Sequence, residues 1–307
     1  MTECEKDCLE EEDLLPASFQ YYDEMSGRGQ KAAKRLNLAR LVGVTVAAIA
    51  GATDSVMDLP QLGSVSLLGF MAALGSDYLL LQREPEKTWY AAREAAETIK
   101  TLAWCYAVGG EHFPHHMRQD HADRRFIEKC AEIRSLVSDD ILVSSTGGVV
   151  SEIKPTSLMI AVRTDWTFCR RREAYIACRV RKEAAWYGQR AARNHKAAQK
   201  WKVFLVAAEI AALTLLSARM SGGTQAPKID WAGIMAALVA AGSSWMHFKQ
   251  YEFLTSAYSR AQEDLETQVE RLAISNEDQW PHAVADAEAA ISREHRLWKS
   301  TRGSVTT

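Results

Sequence analysis

The chain has no C-x-x-C pair, no P-loop and no surplus of basic residues. Each absence removes a class of function. Its six cysteines, Cys4, Cys8, Cys105, Cys130, Cys169 and Cys178, lack the spacing of a closed zinc site. Reduced thiols in a reducing compartment are therefore expected. The 37 Lys plus Arg are balanced by 39 Asp plus Glu, for a net charge of -2. Nucleic-acid binding needs an uncompensated basic surface, so no nucleic-acid partner is expected. The Gly pair in SSTGGVVSE, residues 144–152, lacks the lysine and spacing that cradle a nucleotide phosphate. It reads as a turn, and the β-prone residues 141–143 and 149–150 around it allow a short hairpin. No Ser/His/Asp, Cys/His or paired-carboxylate constellation stands in a supporting context. The expectation is a protein that is not an enzyme and carries no cofactor. The opening MTECEKDCLEEEDLL is acidic where a secretion signal is basic and then apolar, so no cleavable signal is expected.

Mean hydropathy is slightly negative, as in a soluble protein. That average conceals a patchwork. Four apolar blocks stand out: Leu41 to Thr53, Gln61 to Leu81, Val203 to Met220 and Trp231 to Phe248. The connectors inside each pair, DSVMDLPQ and SGGTQAPKID, hold Gly, Pro and Asp that end helices. Each pair reads as a helical hairpin. A spanning helix needs about 20 apolar residues, with a range of about 17–25. The first block is short by that rule and the third is marginal, so a soluble bundle with buried helices is the competing reading.

Two patterns favour the membrane. Small residues crowd all four blocks, as close-packed membrane helices prefer. Basic residues sit asymmetrically: Arg28, Lys31, Lys34, Arg35 and Arg40 precede the first block, and Arg190, Arg193, Lys196, Lys200 and Lys202 the third. Arg83, Lys87 and Lys249 follow the second and fourth, while Arg219 and Lys228 make the second connector less clean. The expected topology has four spans, with both termini and the middle of the chain in the cytoplasm and the spans in the inner membrane.

The two hairpins overlay at an offset of 165. Tyr22 falls on Tyr187, Arg28 on Arg193, Lys31-Ala32-Ala33 on Lys196-Ala197-Ala198, and Ala47 on Ala212. This spacing fits duplication of a two-helix module in the same orientation. The segments beside the spans, such as QKAAKRLNLAR, TWYAAREAAETIKTLAWCYA and YEFLTSAYSRAQEDLETQVERLA, are rich in helix formers and extend the helices beyond the bilayer. The expected divisions are an acidic tail over 1–20, a first hairpin module over 21–100, and a cytoplasmic connecting region over 101–174. A second module covers 175–300 and a C-terminal tail 301–307.

The pattern Y-x3-R-V-x5-W-Y, formed by Tyr175, Arg179-Val180 and Trp186-Tyr187, precedes a basic Ala-rich segment and a membrane hairpin. Upstream lie Ile153-x-Pro-x-x-Leu-Met and Val162-Arg163. That order of parts resembles the SLATT family, and YYDEMSGRGQKAAKRLNLAR, beginning at Tyr21-Tyr22, resembles a second copy. The chain departs from the pattern at Arg181-Lys182-Glu183, where an acidic-amide pair often stands. The resemblance implies a mainly α integral membrane protein with two repeated two-helix hairpins and long cytoplasmic helical extensions. It further implies a homo-oligomeric pore-forming or membrane-perturbing effector, an ion channel of bacterial antiviral defence. Its partners would be the lipid bilayer and an upstream nucleotide-signalling or other sensor. The competing class is a non-conducting membrane scaffold or signal transmitter; a transporter is a third.

Glu209 lies within the third block. A carboxylate there costs about 2.5–3.5 kcal/mol on insertion scales. It would line a cation-preferring pore, pair within the protein, or snorkel to an edge. Arg40 is a candidate partner, because the repeat places Val44 opposite Glu209, one turn after Arg40. Asp77 and His247 fit interfacial positions near the ends of their blocks. Thr45, Ser243 and Ser244 fit hydrogen bonding across helices or a pore lining. His112, His115, His116 and His121, with Asp120 and Asp123, form a polar loop without the spacing of a metal site; no metal is expected.

Overall fold

The computed structural model describes residues 9–57, 60–141, 153–220 and 231–303. All regular structure among the described residues is helical. Helices α1 to α4 are Glu11–Leu14, Ala17–Met57, Pro60–Arg83 and Pro85–Val108. Helices α5 to α7 are Gln119–Ile141, Ser157–Asp165 and Phe168–Tyr175. A π-helical segment, Ile176–Arg181, leads directly into α8, Lys182–Met220. Helices α9, α10 and α11 are Trp231–Lys249, Tyr251–Ile274 and Trp280–Gly303. The Gly-pair segment with its possible hairpin, the second connector and the first eight residues lie outside the described residues.

Helix α2 has 41 residues and α8 has 39. At about 1.5 Å per residue each is close to 60 Å long, twice the hydrocarbon thickness of a bilayer. Each therefore has a spanning half and a half beyond the membrane. The helical runs Ala17–Asp54, Gln61–Arg83 and Phe168–Ala218 are long and apolar enough to cross. Helix α9, with 19 residues, has the length of a fourth span. Leu67, Leu68, Phe70, Met71 and Leu74 stand exposed along α3, and Val203, Val206, Ile210 and Leu213 along α8. Apolar surface on that scale requires a nonpolar surrounding. The protein is a mainly α-helical membrane protein, as the sequence implies.

Two compact units share the chain. The first gathers the residues up to Gln30, Glu86–Ala191 and those from Ser256 onward. Its core draws on the last two turns of α4, from Leu102 to Val108, and on Phe113, Phe126, Met159, Val162, Tyr175, Val180, Leu265, Leu272, Trp280 and Val284. Trp104 and Trp280 meet the Tyr175 ring edge-on, each at 5.8 Å between centroids. Within the π segment Ile176, Cys178, Arg179 and Val180 are all buried. After Val180 the buried positions Ala184, Tyr187 and Ala191 follow at α-helical steps of four, three and four.

The N-terminal acidic stretch was expected to be a solvated tail or short helix. Its described part is helical and docked: Leu14 is fully buried, and its carbonyl accepts from Thr156 Oγ1 at 3.2 Å. Glu11 meets Lys100 Nζ at 2.8 Å and Lys182 Nζ at 2.9 Å. Cys105, Cys130 and Cys169 are free thiols. Cys178 is disulfide-bonded, which corrects the expectation of reduced thiols throughout.

The second unit comprises Lys31–Pro85 and Ala192–Thr255, and holds the apolar blocks. Glu84 and Gln250, with φ of 40° and 50°, end α3 and α9 in the left-handed region. Their amides bond back to Leu80 O at 3.1 Å and Met246 O at 2.9 Å. Each closes its helix with the single turn that usually uses glycine.

Candidate functional site

Small residues set the geometry of the first hairpin. A Cβ on Gly43 would lie 2.7 Å from the Gly69 carbonyl, and one on Gly69 would lie 2.6 Å from the Gly43 carbonyl. The α2 and α3 backbones touch at this crossing, with Ala47 and Ala73 buried one turn further along each helix. Ser66 Oγ donates across it to Ala47 O at 2.9 Å. This is small-residue packing, in which backbone approach supplies the contact that hydrophobicity cannot supply in lipid. Thr45 does not reach across; its hydroxyl returns to Leu41 O in its own helix at 2.8 Å. In the second hairpin, a Cβ on Gly242 would meet Leu205 at 2.8 Å and the Trp201 ring at 3.4 Å. Ser243, Ser244 and His247 lie exposed on α9.

The structure separates two residues that the sequence offered as a pair. Arg40 Nη1 lies 3.3 Å from Asp77 Oδ1, joining α2 to α3 with both side chains about half exposed. Arg40 is thus the partner of Asp77 and not of Glu209. Glu209 is exposed on α8 and has no ion pair or hydrogen bond among the described residues. Val206, Leu213 and Leu216, at spacings of three, four and seven from it, are exposed on the same face. Glu209 therefore sits in the middle of an outward apolar stripe.

The signature residues form a second constellation, in the first unit. Tyr175 OH donates to Glu288 Oε1 at 2.9 Å, and Arg179 Nε to the same oxygen at 3.0 Å. Arg179 Nη2 donates to Oε2 at 2.7 Å and Thr101 Oγ1 to Oε2 at 2.8 Å. One buried carboxylate thus collects four donors from α4, α7 and the π segment. Arg179 Nη1 faces Glu183 at 3.7 Å. Tyr187 OH reaches Ile291 O at 3.3 Å. Trp186 is only partly buried, lies edge-on to Tyr258 and carries the Arg190 guanidinium 4.9 Å over its ring. Tyr22, on α2, is buried edge-on against Tyr21.

Two further buried arginines organise the loop that holds the histidines. Arg163 donates to the carbonyls of Tyr106, Phe113, Pro114 and Met117 at 2.7 to 3.2 Å. Arg171 holds Trp166 O at 2.9 Å and Glu277 at 3.3 Å, with His115 Nε2 at 3.5 Å. Burial, and then the nearby Arg171 charge, lower the affinity of His115 for a proton. No group of three or more His, Cys, Asp or Glu converges on a metal-sized space among the described residues. Sequence reasoning missed Glu288. A signal existed: Glu288 follows Val284 by four and precedes Ile291 by three, which puts a lone carboxylate on the apolar face of α11.

Helical hairpins of membrane length, closed by small residues and joined to a helical domain with a buried charge cluster, define a membrane-embedded modular protein. Comparison with known families agrees. Residues 16–172 match the SMODS and SLOG-associating 2TM effector domain 3, SLATT_3, and residues 175–298 match effector domain 1, SLATT_1. The chain belongs to the SLATT family, with two of its effector domains in tandem. No curated protein and no solved structure matches it.

Proposed function

We propose that the chain assembles with copies of itself in the bacterial inner membrane, termini in the cytoplasm, and opens a pore or perturbs the bilayer in antiphage or self-limiting defence. One observation carries the reading. Glu209 stands exposed on an apolar α8 face, without a partner among the described residues. Left toward lipid it costs about 2.5–3.5 kcal/mol. A second copy, or water enclosed by several copies, removes that cost. Carboxylates repeated around an axis favour cations. The first unit would receive the upstream signal, from a nucleotide-signalling enzyme or another sensor.

Reconstituted into planar bilayers, the protein should pass cations in preference to anions. Glu209→Gln should lower that preference several-fold while leaving expression and membrane insertion intact. Unchanged selectivity would remove Glu209 from the pore. Cells that stay polarised, by a membrane-potential dye, after induced activation would favour the non-conducting scaffold.

A further inference from the structure

Exposed cations lie part-way along α2 and α8, just before the apolar stretch of each helix. Lys31, Lys34 and Arg35 lie exposed on α2, and Lys196 and Lys200 on α8. No acidic residue occurs in 31–40 or in 192–202. Lys202, by contrast, is already paired with Glu252.

Their faces decide what they meet. On α2 the sequence of exposed positions runs Lys31, Lys34 and Arg35, then Leu38 and Val42. On α8 it runs Lys196, Lys200, then Val203, Val206 and Ile210. These are helical spacings of three and four, so the basic residues and the exposed apolar residues share one face of each helix. The opposite faces carry Ala33, Gly43 and Ala47 on α2, and Ala198 and Ala208 on α8, all buried. The face that meets lipid tails therefore continues straight into the face that carries the charge. At about 1.5 Å per residue, Arg35 and Lys200 stand about 4.5 Å before the first exposed apolar residue, and Lys31 and Lys196 about 10 Å. The headgroup layer is about 5–7 Å thick on each side of the hydrocarbon. Lys34, Arg35 and Lys200 fall within that thickness, and Lys31 and Lys196 stand about one helical turn farther out; all five are exposed.

The arrangement occurs twice at one offset. Lys31 and Lys196, Arg35 and Lys200, and Leu38 and Val203 are each 165 positions apart. A second, independent feature marks the same depth. Trp201, beside Lys200, meets Phe204 edge-on at 5.6 Å, and Lys249 lies 5.0 Å over the Trp245 ring. Indole rings collect at the level of the headgroups.

We infer that Lys31, Lys34 and Arg35, and separately Lys196 and Lys200, form two binding surfaces for the phosphodiester of anionic phospholipids. The protein then selects anionic lipid for the shell around α2 and α8. The inference uses the membrane placement of the hairpins but not a pore, and its readout is lipid binding.

The full chain is reconstituted in nanodiscs of phosphatidylcholine with about 30% phosphatidylglycerol, and the lipids retained on release are counted by native mass spectrometry. Both leaflets are identical there, so an effect on topology does not enter. The wild type should retain phosphatidylglycerol above its bulk share, and less so at high salt. Lys31→Gln with Arg35→Gln should lower the retained phosphatidylglycerol-to-phosphatidylcholine ratio by up to about fivefold for each charge removed, and Lys196→Gln with Lys200→Gln likewise, on the scale of about 1 kcal/mol per basic residue. The quadruple variant should bring the retained lipid close to the bulk ratio, and adding Lys34→Gln should take it the rest of the way. Enrichment unchanged in the quadruple variant overturns the inference and leaves these cations as orientation signals. Enrichment lost equally on neutralising Arg124 and Arg125, which lie on α5 in the first unit, overturns it too.

Discussion

Arg179 and Glu288 face each other as a bidentate pair, Nε to Oε1 at 3.0 Å and Nη2 to Oε2 at 2.7 Å, with side chains 1% and 4% exposed. Breaking such a pair leaves a buried charge alone. Replacing both members with apolar side chains does not. Glu288→Ala should therefore destabilise the first unit by about 3–5 kcal/mol, and Arg179→Met with Glu288→Leu by much less. Tyr175→Phe, which removes one donor to the carboxylate, should cost about 1–2 kcal/mol. Thermal unfolding of the purified chain in detergent ranks the three. A double variant as unstable as Glu288→Ala would assign the effect to packing and not to charge.

Arg163 ties four carbonyls of the segment around Pro114 to α6. A lysine has one donor centre and cannot reach four acceptors spread over the planar fork of an arginine. Arg163→Lys should raise amide exchange over residues 109–118 by about tenfold or more while leaving α10 protected. Equal exchange in both proteins would show that the loop is held by Phe113 and its aromatic neighbours alone.

Glu11 fastens α1 through Lys100 and Lys182. Burial alone would raise its carboxyl pKa, but the two ammonium groups outweigh burial and bring it from 4.5 down to about 2. A depressed carboxyl pKa contributes stability that is complete above about pH 4.5 and is lost as pH falls toward 2. Pepsin cleavage near Leu14 and Leu15 should be slower in the wild type than in Glu11→Gln at pH 4. The two rates should converge near pH 2. A constant ratio across that window would mean that the carboxylate does not hold α1.

The glycines of α2 and α3 are not equivalent. Gly43 and Gly69 have no room for a Cβ, whereas Gly75 has nothing within 4 Å. Gly43→Ala and Gly69→Ala should each lower the resistance of the hairpin to denaturation in SDS, by about 1–3 kcal/mol as in overpacked cores. Gly75→Ala should be silent or slightly stabilising, because alanine is the better helix former. A loss of similar size at all three positions would point to insertion and not to packing.

The membrane character of the chain was legible because lipid imposes one simple rule, a run of about 20 apolar residues, and the flanking cations repeat it. Tyr175 and Arg179 were legible as parts of a signature, but their common partner was not. Glu288 comes from more than a hundred positions away, and nothing local in α11 says which helix it will face. Arg40 illustrates the converse. The offset that aligns the hairpins put it near Glu209 in depth, yet it bonds to Asp77 on the neighbouring helix. Depth along a span can be counted from sequence; azimuth around the bundle depends on packing. The π turn was hidden too, since four of its six residues are buried and no periodicity marks it.

Helix α8 runs 39 residues and contains no proline and, after Gly188, no glycine. Helix α2 has Gly27, Gly29, Gly43 and Gly51 along its length. Helices kink at such residues. Without one, the stretch of α8 from Ala192 onward bends little and resists torsion. A twist applied near Arg193 has no intermediate joint in which to dissipate before Glu209, about 24 Å further along. Inserting a Gly-Gly pair in the basic stretch would uncouple those two points without touching either.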